Sequence, residues 1–183
     1  MFKILGVSGS LRAASHTTAV LRTLIEAAPA ALAVSMHSLA DLPLFNADLD
    51  PLPAPVQAFK EAVKGADGLL VATPEYNYGM PGLLKNAIDW ASRPGFASVL
   101  LGKPALIVSQ SPGAIGGARA HAQVREALSA CGCRVLPFRQ ITIGNAGAKV
   151  ADGRLVDKDT IAFALAGLEE LRKEILRARA PIS

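Results

Sequence analysis

The chain has 183 residues, 51% of them hydrophobic, with 19 Lys and Arg against 15 Asp and Glu, a net charge of +4 and a pI near 9.3. Such a length and apolar content suit one folded domain, residues 1–183, and exclude a disordered chain. No apolar run approaches the ~20 residues of a membrane-spanning helix, and the basic residues are scattered rather than interleaved with aromatics, which argues against nucleic acid.

The first residues, FKILGVSGSL, run straight into glycine and serine and read as a strand, not as a secretory signal, so a cytoplasmic protein is expected. KILGVSG is strand one, and TTAVLRTLIEAA is an amphipathic helix stopped near Pro29. ALAVSMHSL is strand two. A proline-rich segment, Asp41 to Pro55, then leads to the helix VQAFKEAVKGA. DGLLVATP is strand three, continuously apolar as a strand covered on both faces should be. The helix GLLKNAIDWASR, strand four KPALIVSQS and the helix GARAHAQVREALSAC follow. RVLPFRQI is strand five, and DTIAFALAGLEELRKEILRAR closes the chain as a long helix. Strands alternating with helices predict an α/β fold, a five-stranded parallel sheet with helices on both faces.

Cys131 and Cys133, in ACGCRV, are read as two reduced thiols where a helix gives way to a strand. A zinc site needs four ligands, and His16, His37 and His121 stand far apart, so no metal is expected. The bases in LRKEILRAR are spaced among glutamates as on a solvated helix face.

In a doubly wound sheet, ligands bind beyond the carboxyl ends of the strands where the winding reverses. For five strands the common order is 2-1-3-4-5, which places that reversal between strands one and three. The loops of unusual composition follow strands one, three and four, and this topology would gather them at one edge. The first, GSLRAASHTT, offers backbone N–H groups, several hydroxyls and the guanidinium of Arg12 ahead of a helix N-terminus, a donor set for a phosphate monoester. A single Ser or Thr there would also serve as a plain helix cap. No Gly-Lys pair completes a P-loop, and Gly6 and Gly9 lack the spacing of a dinucleotide fingerprint.

The second loop, PEYNYG, places two tyrosines and Asn77 at a strand-to-helix junction, where backbone and rings suit a flat, polar-edged ligand. Pro81 suits the first turn of the next helix. Within that helix Leu83, Leu84, Ile88 and Trp90 read as core or subunit interface, Trp90 being the least settled. The third loop, SQSPGAIGGAR, is glycine-rich and can let backbone approach a ligand closely, as well as simply turn. No carboxylate pair or Ser–His–Asp constellation is evident; GVSGS lacks the last glycine of a nucleophile elbow.

Together, GSLRAAS, TPEYNYGMPGLLKNAIDW and SPGAIGGAR resemble the NADPH-dependent FMN reductase family, which includes bacterial quinone and chromate reductases. The likeness covers nearly the whole chain and implies a flavodoxin-like fold with one FMN per subunit. It implies that Ser10, Leu11, Arg12, Ser15, His16 and Thr17 hold the phosphate. The flavin ring would lie against Pro74, Glu75, Tyr76, Asn77 and Tyr78, with Ser111 and Gly113 on its far side. Family members commonly carry Ser-Phe-Asn where this chain has Ser15, His16 and Thr17, so a side-chain amide is missing from the phosphate loop.

The resemblance further implies ping-pong electron transfer from NADPH or NADH through FMN. The acceptors would be quinones, free flavins, azo compounds or chromate, with no catalytic side chain assigned. It also implies a homodimer or homotetramer, with the helix after strand three as candidate interface. Two other readings stand beside it: a flavodoxin-type electron carrier, which a basic pI disfavours because such carriers are usually acidic, and a flavin-free binding module.

Overall fold

The computed structural model describes residues 1–179. In chain order the elements are β1 (Phe2–Ser8), α1 (His16–Glu26), β2 (Leu32–His37), α2 (Ala54–Gly65), β3 (Gly68–Pro74), α3 (Gly82–Ala91) and β4 (Pro104–Gln110). There follow α4 (Ala118–Ala130), β5 (Arg134–Val135), β6 (Ile141–Ile143), α5 (Ala146–Lys149), β7 (Val150–Ala151), β8 (Arg154–Leu155) and α6 (Lys158–Arg179). The main sheet is parallel with the order β2-β1-β3-β4-β5, as the alternation of strands and helices predicts.

Every residue of β3 and β4 is buried, which is why their sequences are apolar without alternation. The two faces nevertheless separate residue by residue, since successive side chains of a strand point opposite ways. Leu5, Val7, Leu69, Val71, Ala105 and Ile107 pack with Phe59 and Val63 of α2, Leu84 and Ile88 of α3, and Val124 and Leu128 of α4. Ile4, Leu70, Ala72, Leu106 and Val108 pack instead with Val20, Leu21 and Leu24 of α1 and Leu168, Leu171 and Ile175 of α6. The sheet is thus the middle of three layers.

Strand five departs from expectation. RVLPFRQI is not one strand: β5 pairs with the start of β4 through Arg134 and Val135, and β6 pairs with its end through Ile141–Ile143. Pro137 has no N–H to give the ladder, so the chain leaves the sheet there and rejoins it at Ile141. Helix α5 and the antiparallel pair β7–β8 were not foreseen either.

The proline-rich segment is anchored by α3. Trp90 Nε1 and Asn86 Nδ2 both donate to the Pro43 carbonyl, at 2.8 and 2.9 Å, and Asn86 Oδ1 accepts from the Phe45 N–H at 2.7 Å. The Trp90 ring meets Phe45 edge-on at 4.9 Å. Trp90 is therefore core, and Leu84 and Ile88 are buried within the chain as well. Both thiols are free; Cys133 is buried, donates to the Leu100 carbonyl at 3.2 Å, and is pushed up to about 12 by burial and then by Cys131.

His121 of α4 is buried, and burial followed by the neighbouring Arg125 lowers its pKa from 6.5 to about 4. The fold holds this ring neutral, whereas the unfolded chain binds a proton at ordinary pH values below 6.5. Its contribution to stability is therefore complete above about pH 6.5 and is lost as pH falls toward 4. Melting temperatures should drop across that window, and His121→Leu should flatten the drop. An unchanged pH profile in the variant would refute this role.

Candidate functional site

Three turns meet beyond the carboxyl ends of β1, β3 and β4. The register sets Ser8 beside Ala72 and Pro74 beside Gln110, so β3 and β4 end level and β1 ends two residues before them. Gly9 donates its N–H to the Ala72 carbonyl at 2.8 Å, and a Cβ on Gly9 would lie 3.0 Å from Pro74 Cδ. A side chain at this position would press on the proline ring, so glycine suits the close approach of the first two turns.

In the first turn Ser15 is the N-cap of α1, its Oγ accepting the Thr18 N–H at 3.2 Å. The Thr18 hydroxyl pairs with Ser8 Oγ at 2.9 Å. Thr18 and Ala19 thus have partners for their N–H groups, whereas those of His16 and Thr17 have none among the described residues. Arg12 is exposed and makes no side-chain ion pair or hydrogen bond among the described residues; Leu11 is also exposed. Free N–H groups at a helix N-terminus beside a free guanidinium form a donor set for an anion. Of the hydroxyls in this turn, Ser15 caps the helix and those of Ser10, Thr17 and Thr18 are engaged within the chain, so the donors left over are the two N–H groups and the Arg12 guanidinium.

In the second turn Tyr76 and Gly79 exchange both backbone hydrogen bonds at 3.0 Å, with Asn77 and Tyr78 between them at φ 49° and 67°. Two central residues at positive φ define a type I′ turn, which Asn tolerates and a tyrosine rarely adopts. Both tyrosines of this turn have partners. The Tyr76 hydroxyl donates to Ser10 Oγ at 3.3 Å, and the Arg119 guanidinium lies 4.2 Å from the centre of the Tyr78 ring.

Glu75 turns away from the tyrosines. Its Oε2 accepts the N–H groups of Arg119 and Ala120, at 3.0 and 3.3 Å, and its Oε1 accepts from Arg119 Nη1 at 3.3 Å. The carboxylate thus caps α4, whose N-cap Gly117 (φ 79°) has no side chain to do so. The third turn is pinned by β6 and α5. Ser111 N–H donates to the Ile143 carbonyl, Ala146 N–H to the Ser111 carbonyl and Asn145 N–H to the Gly113 carbonyl, all at 3.1 Å. Ser111 Oγ accepts the Gly113 N–H at 3.1 Å.

Three residues at this edge escaped sequence reasoning. Arg119 and Gln123 hold the second turn, Gln123 by accepting the Met80 N–H at 2.9 Å. Gln110, the last residue of β4, reaches the buried Thr17 hydroxyl at 2.7 Å. A serine and a glutamine, Ser109 and Gln110, ending an apolar buried run were the one signal in the sequence. No group of three or more His, Cys, Asp or Glu side chains suited to a metal occurs among the described residues, and no helix among them is long and apolar enough to cross a membrane.

A doubly wound parallel sheet of this order, with its turns gathered beyond the carboxyl ends of β1, β3 and β4, defines a flavodoxin-like fold. The profile of the NADPH-dependent FMN reductases matches residues 2–148. The chain is 40% identical over 180 residues to an NAD(P)H-dependent FMN reductase of Pseudomonas aeruginosa, covering 97% of each. It is 41% identical over 166 residues to a quinone reductase of Escherichia coli, covering 87% of each. Its fold matches that of FerB, a flavoenzyme NAD(P)H:acceptor oxidoreductase of Paracoccus denitrificans, with a TM-score of 0.88 and 32% identity over 97% of this chain and 99% of the other. The chain belongs to the NADPH-dependent FMN reductase family and is an FMN-dependent oxidoreductase.

The Glu75 contacts give a direct test of how the second and third turns are joined. Glu75→Ala should lower unfolding free energy by about 1–2 kcal/mol, the usual effect of losing a helix cap. Glu75→Gln, which keeps a carbonyl oxygen for the two N–H groups, should lose less than half of that. Urea unfolding checks both, and equal losses would show that charge, not capping, holds α4 to the turn.

Proposed function

We propose that one FMN lies along the edge formed by the three turns and carries electrons from NADPH or NADH to quinones, free flavins or anionic oxidants such as chromate in a ping-pong cycle. Its phosphate would rest on Ser10, Leu11, Arg12, Ser15, His16 and Thr17. Its ring would rest against Pro74, Glu75, Tyr76, Asn77 and Tyr78, with Ser111 and Gly113 opposite. The observation that carries this reading is the pair of free N–H groups on His16 and Thr17 beside Arg12, tied to the aromatic turn by the Tyr76–Ser10 bond. A phosphate dianion there gains the helix terminus and a guanidinium together.

The Tyr76–Gly79 bridge leaves the N–H groups of Asn77 and Tyr78 without protein partners among the described residues, as reading the polar edge of a ring system requires. Glu75 contributes by position: its carboxylate is engaged on α4, so its backbone is held still beside the ring. When bound, FMN supplies hydride acceptance from the nicotinamide and electron release to the acceptor, so no side chain here need act as acid or base.

Exposed Leu11, Tyr76, Tyr78 and Ile115 rim the edge and give an apolar face suited to flat acceptors and to a second copy of the chain, in a homodimer or homotetramer. The residues 1–183 act as one domain. Free Cys131 and Cys133 suit a reducing cytoplasm, where NAD(P)H is plentiful.

Protein purified without added flavin, then loaded with FMN and desalted, should keep a visible flavin spectrum. Arg12→Ala combined with Ser15→Ala should weaken FMN binding by at least about tenfold, since hydrogen bonds to charged groups are lost. Initial rates against NADPH at several quinone concentrations should give parallel double-reciprocal lines. A protein that holds no FMN, or converging lines, would refute the reading.

A further inference from the structure

Gln110 ends β4 with its side chain on the α1 face, two and four residues on from Val108 and Leu106. It is 6% exposed, and Thr17, which it meets, is 1% exposed. As placed, Nε2 donates to Thr17 Oγ1 at 2.7 Å, while Oε1 has no partner. Half a turn of the amide lets the Thr17 hydroxyl donate to Oε1 and leaves the two Nε2 hydrogens free instead. In either orientation a buried amide keeps one hydrogen-bonding group in reserve, an arrangement folded proteins seldom retain without use. Thr17 is also one of the two residues whose backbone N–H has no partner among the described residues at the start of α1. The amide therefore touches a residue of the anion-binding turn from below, out of the sheet.

We propose that Gln110 is a phosphate-binding residue of the flavin site: with FMN bound, its amide turns so that Oε1 accepts the Thr17 hydroxyl and Nε2 donates toward the phosphate. This rests on the FMN reading above. It answers the gap noted in the phosphate loop, where Thr17 stands at a position at which the resemblance leads one to expect asparagine. The missing amide is supplied from β4, and a hydroxyl on α1 holds it in place.

Flavin-stripped protein titrated with FMN and with riboflavin, which lacks the phosphate, separates this role from a packing role. Gln110→Leu should raise the FMN Kd by about tenfold or more, the usual effect of losing one hydrogen bond to a charged group, and leave riboflavin within about twofold. Gln110→Glu, which is isosteric and adds negative charge beside the phosphate, should weaken FMN further and spare riboflavin, and it decides the matter if the leucine variant fails to fold. Exchanging the two groups, Thr17→Asn with Gln110→Thr, should return FMN affinity to within about threefold of wild type. FMN binding unchanged in both single variants, or FMN and riboflavin weakened alike, would overturn the proposal. Wild-type protein that binds neither flavin would sink the FMN reading and this inference with it, whereas tight FMN binding untouched by either Gln110 variant would sink this inference alone.

Discussion

Backbone hydrogen bonding fixes the carboxyl ends of β1, β3 and β4 against one another, with Ser8 beside Ala72, Thr73 beside Ser109 and Pro74 beside Gln110. Everything at the candidate site hangs from that register. Because a one-residue slip would turn each strand's side chains to the opposite face, burial on both faces makes the pairing hard to shift. Gly9 then abuts Pro74, Tyr76 reaches Ser10, and Gln110 reaches Thr17 without any of these contacts having to bring distant chain segments together on its own. The expensive ordering is done by the sheet, and the turns add only short-range contacts.

Two helices, α1 and α4, point their N-termini at the same edge, and the chain treats them differently. At α4 the Glu75 carboxylate takes the N–H groups of Arg119 and Ala120 and offsets the partial positive charge there. At α1 the cap is a neutral serine, two N–H groups stay free, and Arg12 adds positive charge with no carboxylate paired to it among the described residues. An incoming dianion thus finds one terminus already neutralised and the other available. Charge placement thus favours an anionic group at the α1 terminus over the α4 terminus, which is the orientation the proposed FMN site requires. The same carboxylate draws Arg119 against Tyr78, whose backbone at φ 67° needs such support.

The strands that matter most were legible because burial on both faces writes a continuous apolar run, and the three turns were legible because their glycines, hydroxyls and tyrosines interrupt such runs. What escaped has physical causes. Elements of two to four residues, such as β7, β8 and α5, are too short to show a period, and they form only because neighbouring segments pair with them or cover them. The break at Pro137 was visible as a proline inside RVLPFRQI, yet whether a proline ends a strand or merely edges it depends on which neighbour needs its N–H. Side-chain direction was the other loss. The Glu75 carboxylate points at α4, a choice made by two N–H groups that lie 44 and 45 residues away in sequence and that no local pattern announces.

The exposed rim bears on how the proposed site would choose among acceptors. Leu11, Tyr76, Tyr78 and Ile115 stand out from the turns instead of closing over them, so the edge forms a shelf more than a pocket. A shelf discriminates poorly by shape, since few groups of a bound molecule are enclosed and few polar atoms are left unpaired when the wrong one binds. Selectivity must then come from the flavin's own reactivity and from whatever covers the shelf. Tyr78 is 71% exposed yet pinned by Arg119, and so is held rigid while still presenting its ring. An exposed aromatic that is also immobilised loses little entropy when a flat surface settles on it, so Tyr78 is already ordered for the stacking role the proposed site gives it.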